Sequence, residues 1–191
     1  MKRMGFVMGM AVLLAAGGAR AQQAAPAATQ KMEDMKPVAN PVSTTVKGQL
    51  ARFGKNMVAA AEAMSAEKYG FKPTPEMNTF GHLIMHAALS NNFLCSKISG
   101  AAAPDVKLAD TDGKDKLVAA LKASFEFCTT ALANADDAQL GEQIPLFGGK
   151  MMPRAVAWIG LSDGWNDHYG AQAIYLRLNG ILPPTAQAKK Q

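Results

Sequence analysis

The sequence predicts an all-α protein, a four-helix bundle, and three observations carry that prediction. Apolar residues recur at helical spacing in four separate stretches. Aromatic residues make up only 7% of the chain, and Ala, Leu and Met carry the apolar content, which favours helices over a β-sandwich. At 191 residues, 49% apolar and 18% charged, the chain has the size of one globular domain and is no disordered polyelectrolyte.

The first helix follows from Val46, Leu50, Phe53, Met57, Ala60 and Met64, spaced by threes and fours. Ser43 or Thr44 is its expected N-cap, and Gly70 with Pro73 sets its expected stop near Tyr69-Gly70. Thr74-Pro75-Glu76 reads as the start of the second helix: a capping hydroxyl, proline at the first helical position, then an acid. That helix runs to about Ile98 and stops at Gly100. Its apolar residues wrap most of the circumference, so it should touch several neighbours.

A long polar connection over 99–112 leads to a third helix, with Asp110 to Asp112 as the expected cap. Leu117, Leu121, Phe125, Cys128 and Leu132 form its stripe. Residues 134–150 read as loop, with Gly148-Gly149 as a turn. Pro153 opens a fourth helix that runs to about Asn179, before Gly180 and Pro183-Pro184. At 100° per residue, Ala157, Gly160, Leu161, Gly164, His168, Ala171, Tyr175 and Leu178 share the side expected to face inward. Asp163, Asn166, Tyr169 and Arg177 lie largely opposite. Four amphipathic helices in a domain of this size read as a bundle.

Residues 1–21 read as a secretory signal peptide. Lys2-Arg3 is the basic start, Phe6 to Ala16 the apolar run, and Ala19-Arg20-Ala21 the small-x-small cleavage site. The run is shorter than the roughly 20 residues of a membrane span. Residues 22–40, rich in Ala, Gln and Pro, read as a flexible leader, 41–184 as the folded domain and 185–191 as a flexible tail. The mature chain is then expected in the periplasm or outside the cell, with no membrane attachment after cleavage. Without Lys2, Arg3 and Arg20, the 20 basic residues become 17 against 15 acidic, and no basic patch interleaved with aromatics is present. Nucleic acid is therefore excluded as a partner.

No phosphate-binding loop or dinucleotide fingerprint occurs in the sequence. The residues left for chemistry are the three histidines: His82 and His86, four apart, and His168 on the inward stripe of the fourth helix. Imidazole is a common metal ligand, and bundle cores build metal sites from facing helices. On the residues alone, a buried histidine bonded to a neighbouring side chain is the commoner outcome. Asp163 and Asp167, also four apart, read as a solvated face or as a spare ligand and general base. Gly160 and Gly164 allow close helix packing or leave a cavity beside His168.

Three stretches in order, AEKYGFKPTPEM (66–77), PTPEMNTFGHLIMHAALSNNFLCSKISG (73–100) and DHYGAQAIYLRLNGILPP (167–184), resemble the DinB-like superfamily. The resemblance implies a four-helix bundle of up-down-down-up topology with a long connection after the second helix, which 99–112 fits. It also implies a divalent metal, Zn or Ni, on three histidines, one from the second helix and two from an H-x-x-x-H in the fourth. His86 and His168 match two of these ligands. Gly164 stands where the third is expected, and Ala171 stands where the family has glutamine. The implied metal binding is therefore weak or lost, because zinc sites keep at least three protein ligands. His82, one turn from His86, is a candidate substitute.

Family members of known activity include thiol-dependent transferases and isomerases, whose metal lowers the pKa of a bound thiol or water. Two functions follow as expectations. One is a metal-dependent transferase or hydrolase acting on a small-molecule substrate of unidentified class. The other is a non-catalytic bundle that binds a small ligand or a protein partner. A homodimer is left open.

Export into an oxidising compartment permits a Cys95–Cys128 disulfide. Whether the sulfurs meet depends on topology. Antiparallel second and third helices would hold them about 18 Å apart, beyond the roughly 7 Å limit between bridged Cα atoms. The parallel pair implied by the resemblance brings them within about 4–5 Å along the axis.

Overall fold

The computed structural model describes residues 36–187. The signal sequence read at 1–21, most of the leader and residues 188–191 lie outside that range. Four helices, α1 (Pro41–Ala63), α2 (Phe80–Ser99), α3 (Lys114–Ala131) and α4 (Arg154–Leu178), carry the core. A short hairpin, β1 (Gln143–Pro145) and β2 (Met151–Pro153), precedes α4. Its strands are antiparallel, with Ile144 opposite Met152. The hairpin occupies part of the segment expected to be loop, and Gly148 and Gly149 turn it at φ 68° and 79°. Among the described residues, no helix is long and apolar enough to cross a membrane.

The helix stripes fall where the spacing puts them in α1 and α3: Val46, Leu50, Phe53, Met57, Ala60 and Met64 are buried, as are Leu117, Leu121, Phe125, Cys128 and Leu132. The helix ends do not follow local signals. Neither Ser43 nor Thr44 caps α1. Asn40 occupies the cap position at φ 53° without a side-chain cap bond. The Asp137 carboxylate instead accepts from the Val42 and Ser43 N–H groups at 2.9 and 2.7 Å. At the other end, α1 stops at Ala63, before the expected Tyr69-Gly70. There Lys114 Nζ donates to the Glu62 and Met64 carbonyls at 2.7 and 2.8 Å, a cation on the negative end of the helix dipole.

α2 begins at Phe80, not beside Pro75. Thr79 is its N-cap and accepts from the His82 N–H at 3.0 Å. Thr74 only opens a turn closed by Met77. Gly100 ends α2 at φ 76°, a left-handed position that suits glycine. The Asp110–Asp112 stretch does not cap α3, which Gly113 precedes. Asp112 instead accepts from the Ala109 N–H at 2.8 Å and pairs with Lys116 at 2.8 Å.

α4 departs most from expectation. Its buried residues are Arg154, Ala157, Trp158, Leu161, Trp165, Gln172, Ala173, Tyr175 and Leu176. The inward face is rotated by roughly 70° from the small-residue stripe. Leu178 is 56% exposed, and Gly160, Gly164, His168 and Ala171 lie along the margin. Trp158 and Trp165 explain the rotation, because an indole buries more apolar area than several alanines and glycines together. Trp165 packs between Phe53 and Phe125 at ring distances of 5.9 and 6.0 Å.

Cys95 and Cys128 are joined in a disulfide with Cα atoms 5.3 Å apart, both fully buried. Asn91 Nδ2 donates to Ser124 Oγ at 3.0 Å one turn before the bridge. Near the start of α2, a side-chain carbon on Gly81 would touch Leu117 at 3.3 Å. The three contacts ascend together along α2 and α3.

Candidate histidine cleft

α2 and α4 bring the histidines together at the rim of the bundle. The Thr79 cap sets the start of α2 and so the direction in which His82, His86 and Ser90 project. Trp165 fixes the roll of α4 and leaves His168 at the edge of the buried arc. The His86 and His168 rings lie 5.0 Å apart, edge to face at 86°. The two predicted site residues therefore share one place.

That place is less enclosed than the sequence suggested. The His168 side chain keeps 13% of its surface, and His86 is exposed. His82 is parallel to His86 with ring centroids 6.1 Å apart, and its Nδ1 faces Asp110 Oδ2 at 3.7 Å. His86 Nε2 lies 3.4 Å from Ser90 Oγ.

The cleft beside these rings has a volume of about 210 Å³. Gly160 and Gly164 form one wall, and Ser90, Asn91, Trp165 and Phe147 complete it. Asn91 is fixed by the Trp165 indole N–H, which donates to its Oδ1 at 2.8 Å. A side-chain carbon on Gly164 would sit 3.7 Å from His168 Nε2, an ordinary van der Waals contact. The glycine thus leaves open space directly over the ring nitrogen.

Burial holds the His168 pKa below the ordinary histidine value, and the neighbouring His86 adds to the effect. Asp167 pulls the other way from 3.5 Å, but its carboxylate is 80% exposed and well solvated. His168 is therefore neutral at physiological pH, with a ring nitrogen free to accept a hydrogen bond or ligate an ion. The donor set does not complete a metal centre. Among the described residues, no group of three or more His, Cys, Asp or Glu side chains is placed to hold an ion. His82 stands on the far side of His86 and faces Asp110, and Asp167 points to solvent.

The cavity beside His168 that Gly160 and Gly164 were expected to leave, as the alternative to close helix packing, is present, whereas Ser90 and Phe147 in its lining were not foreseen. Ser90 carries a legible signal, since it lies four residues beyond His86. Phe147 carries none, because the hairpin that presents it was read as loop.

The family model described as the DinB superfamily matches residues 49–166, more than half of the chain. The chain belongs to the DinB superfamily. The match includes His82, His86 and Gly164 and ends just before His168. Solved structures of similar fold include a DinB-like protein from Bacillus subtilis, 20% identical, with a TM-score of 0.60 over 76% of this chain and 99% of that one. A DinB-like protein from Bacillus cereus is 15% identical, with a TM-score of 0.59 over 74% of this chain and 95% of that one. A conserved protein from Enterococcus faecalis is 18% identical, with a TM-score of 0.52 over 71% and 95%. At these identities the likeness is one of fold. No curated protein matches the chain.

Proposed function

We propose that this DinB-superfamily chain is an exported binding protein. Its histidine cleft takes a small polar molecule on two imidazoles, and the divalent-metal centre expected of the family is degenerate. One observation carries this reading: the space over His168 Nε2, where a third ligand would project, belongs to Gly164. Two imidazoles without a third ligand hold Zn or Ni weakly. They still offer a matched donor and acceptor to a polar guest in a partly desolvated cleft.

A metal-dependent transferase or hydrolase is the second reading. The nearness of His82 to His86, 6.1 Å between rings, favours it, since rotation of His82 away from Asp110 would offer a third imidazole.

The remaining parts of the proposal rest on separate supports. Export through residues 1–21 to the periplasm or the exterior is supported by the buried Cys95–Cys128 bridge, a bond that oxidising compartments preserve. Up-down-down-up topology is supported by the ascending contacts of α2 with α3.

Elemental analysis of protein purified without a histidine tag tests the central claim. Wild type is expected to hold clearly less than stoichiometric metal after dialysis. Gly164→His is expected to hold stoichiometric metal, because the site accommodates a side chain and the change restores an i, i+4 pair with His168. Stoichiometric zinc in dialysed wild type would overturn the proposal and make His82→Ala the next variant.

A further inference from the structure

One face of α4 is left bare by the bundle. At 100° per residue, Ile159, Asp163, Gly170, Ile174 and Arg177 fall within an arc of about 60°. All five are exposed, and they lie opposite the buried side that carries Trp165 and Gln172. Ile159 and Ile174 are 64% and 56% exposed, and Leu178, beside the arc, is 56% exposed. Single exposed apolar residues are ordinary, but several in line on one helix make a patch of the kind that marks an interface.

The charges on this face say what covers it. Asp163 and Arg177 have no ion-pair partner among the described residues. The guanidinium reaches only the Ala173 carbonyl of its own helix, at 3.3 Å. The two residues stand seven positions on either side of Gly170, about 10 Å each way along the axis. Beside Asp163, a groove of about 480 Å³ runs between α4 and the start of α1, with Val42, Val46, Ile159 and Asn166 in its lining.

A face whose opposite charges are evenly spaced about one point is complementary to itself under a two-fold rotation. A second α4, laid antiparallel with the two-fold axis at Gly170, sets Asp163 opposite Arg177 of the partner subunit and repeats the pair on the other side. Arg177 of the partner subunit then lies level with the groove, its apolar stem toward Ile159 and its guanidinium at Asp163. A side-chain carbon on Gly170 would meet nothing within 4 Å, so the two backbones can approach closely where they cross. A parallel pair would instead set Asp163 against Asp163. In the antiparallel pair, Leu178 of the partner subunit lies within two residues, about 3 Å, of the level of Gly160, which forms part of the histidine cleft wall.

We propose that the exposed face of α4 docks a second copy of this chain, antiparallel and centred on Gly170, through two reciprocal Asp163–Arg177 pairs. Leu178 of the partner subunit then extends the outer wall of the histidine cleft. The dimer does not depend on what that cleft binds.

Sedimentation equilibrium of the disulfide-bonded protein tests this. Between about 1 and 100 μM, wild type is expected to show a reversible monomer–dimer equilibrium. Asp163→Arg and Arg177→Asp each set like charges opposite one another and are expected to raise the dissociation constant at least about tenfold. The double variant restores both pairs with the signs exchanged and is expected to return to within about threefold of wild type. Gly170→Arg, placed where an added side chain meets nothing of its own chain, is expected to keep the helical circular dichroism of wild type and to sediment as a monomer; it decides the matter should a charge variant fail to fold. Wild type that remains monomeric at about 100 μM would overturn the proposal. A dimer unchanged by Gly170→Arg would overturn it equally, since the copies would then meet on another face. A double variant as weak as the single variants would overturn the antiparallel pairing.

Discussion

Replacing Cys95 and Cys128 together by alanine is expected to lower the melting temperature by roughly 10–15 °C. The bridge spans a sequence separation of 33 residues. The segment it closes contains the end of α2, the whole connection and most of α3, so the unfolded chain gains much freedom when the bond is lost. The chain-entropy model gives about 3–4 kcal/mol for a loop of that length. Both residues are fully buried, and deleting two sulfurs from a packed core adds about 1 kcal/mol or more. For a domain of this size each kcal/mol moves the midpoint by about 3 °C. Circular dichroism melts of the oxidised protein, the fully reduced protein and the double-alanine variant separate the two contributions. Reduction removes only the crosslink, whereas the variant also loses the packing. A variant melting within about 3 °C of oxidised wild type would refute the reasoning. It would mean that packing alone sets the pairing of α2 with α3.

Four further outcomes are expected. Arg154 is 8% exposed and donates to the carbonyls of Lys97 and Ile98 at the end of α2; Arg154→Ala should cost about 2–3 kcal/mol in urea unfolding. Glu142→Gln should cost under about 1 kcal/mol, because Glu142, the salt-bridge partner of Arg154, is 49% exposed. Burial raises the Asp137 pKa, but the N–H groups of Ser43 and Val42 outweigh it and hold the carboxylate below its ordinary 3.8. The stability it contributes is thus present above pH 3.8 and lost as pH falls through the folded value; acid unfolding of Asp137→Asn should show a shallower dependence in that window. His168 is a base with its pKa lowered from 6.5, so its contribution is full above pH 6.5 and falls away below it; proton NMR should place its titration below that of a free histidine, and His168→Gln should flatten the pH dependence of the denaturation midpoint there.

The two kinds of helix feature were not equally legible. The stripes of α1 and α3 were read correctly because their apolar residues are large, and one face of each helix is clearly richer than the other. In α4 the helical stripe consists largely of glycine and alanine, which have little area to bury, and it is not the inward face. Trp158 and Trp165 decide that face, since the largest side chains have most to gain from burial. The error had a direct consequence for the site. His168 was expected in the core, and it stands instead at the rim, with His86 exposed beside it. The pairing of the two histidines survived because both helices carry them near the same level.

The sequence by itself determined the number of helices, most of their buried residues, the two histidines that meet and the glycine that stands where a third ligand is expected. The helices and their buried faces are properties of spacing, which a helix converts into direction without help from the rest of the chain; the histidine pair and the glycine follow from the resemblance to the family. Only the tertiary structure decided where α1 and α2 begin and end, which way α4 faces and which buried amides find partners. Asp137 caps a helix that starts nearly a hundred residues before it, Lys114 closes the other end of that helix, and Asn91 is satisfied while Asn92 Oδ1 has no partner among the described residues. Each of those outcomes depends on a group brought close by packing. Hydrogen bonds act only at contact distance, so nothing local in the sequence carries them.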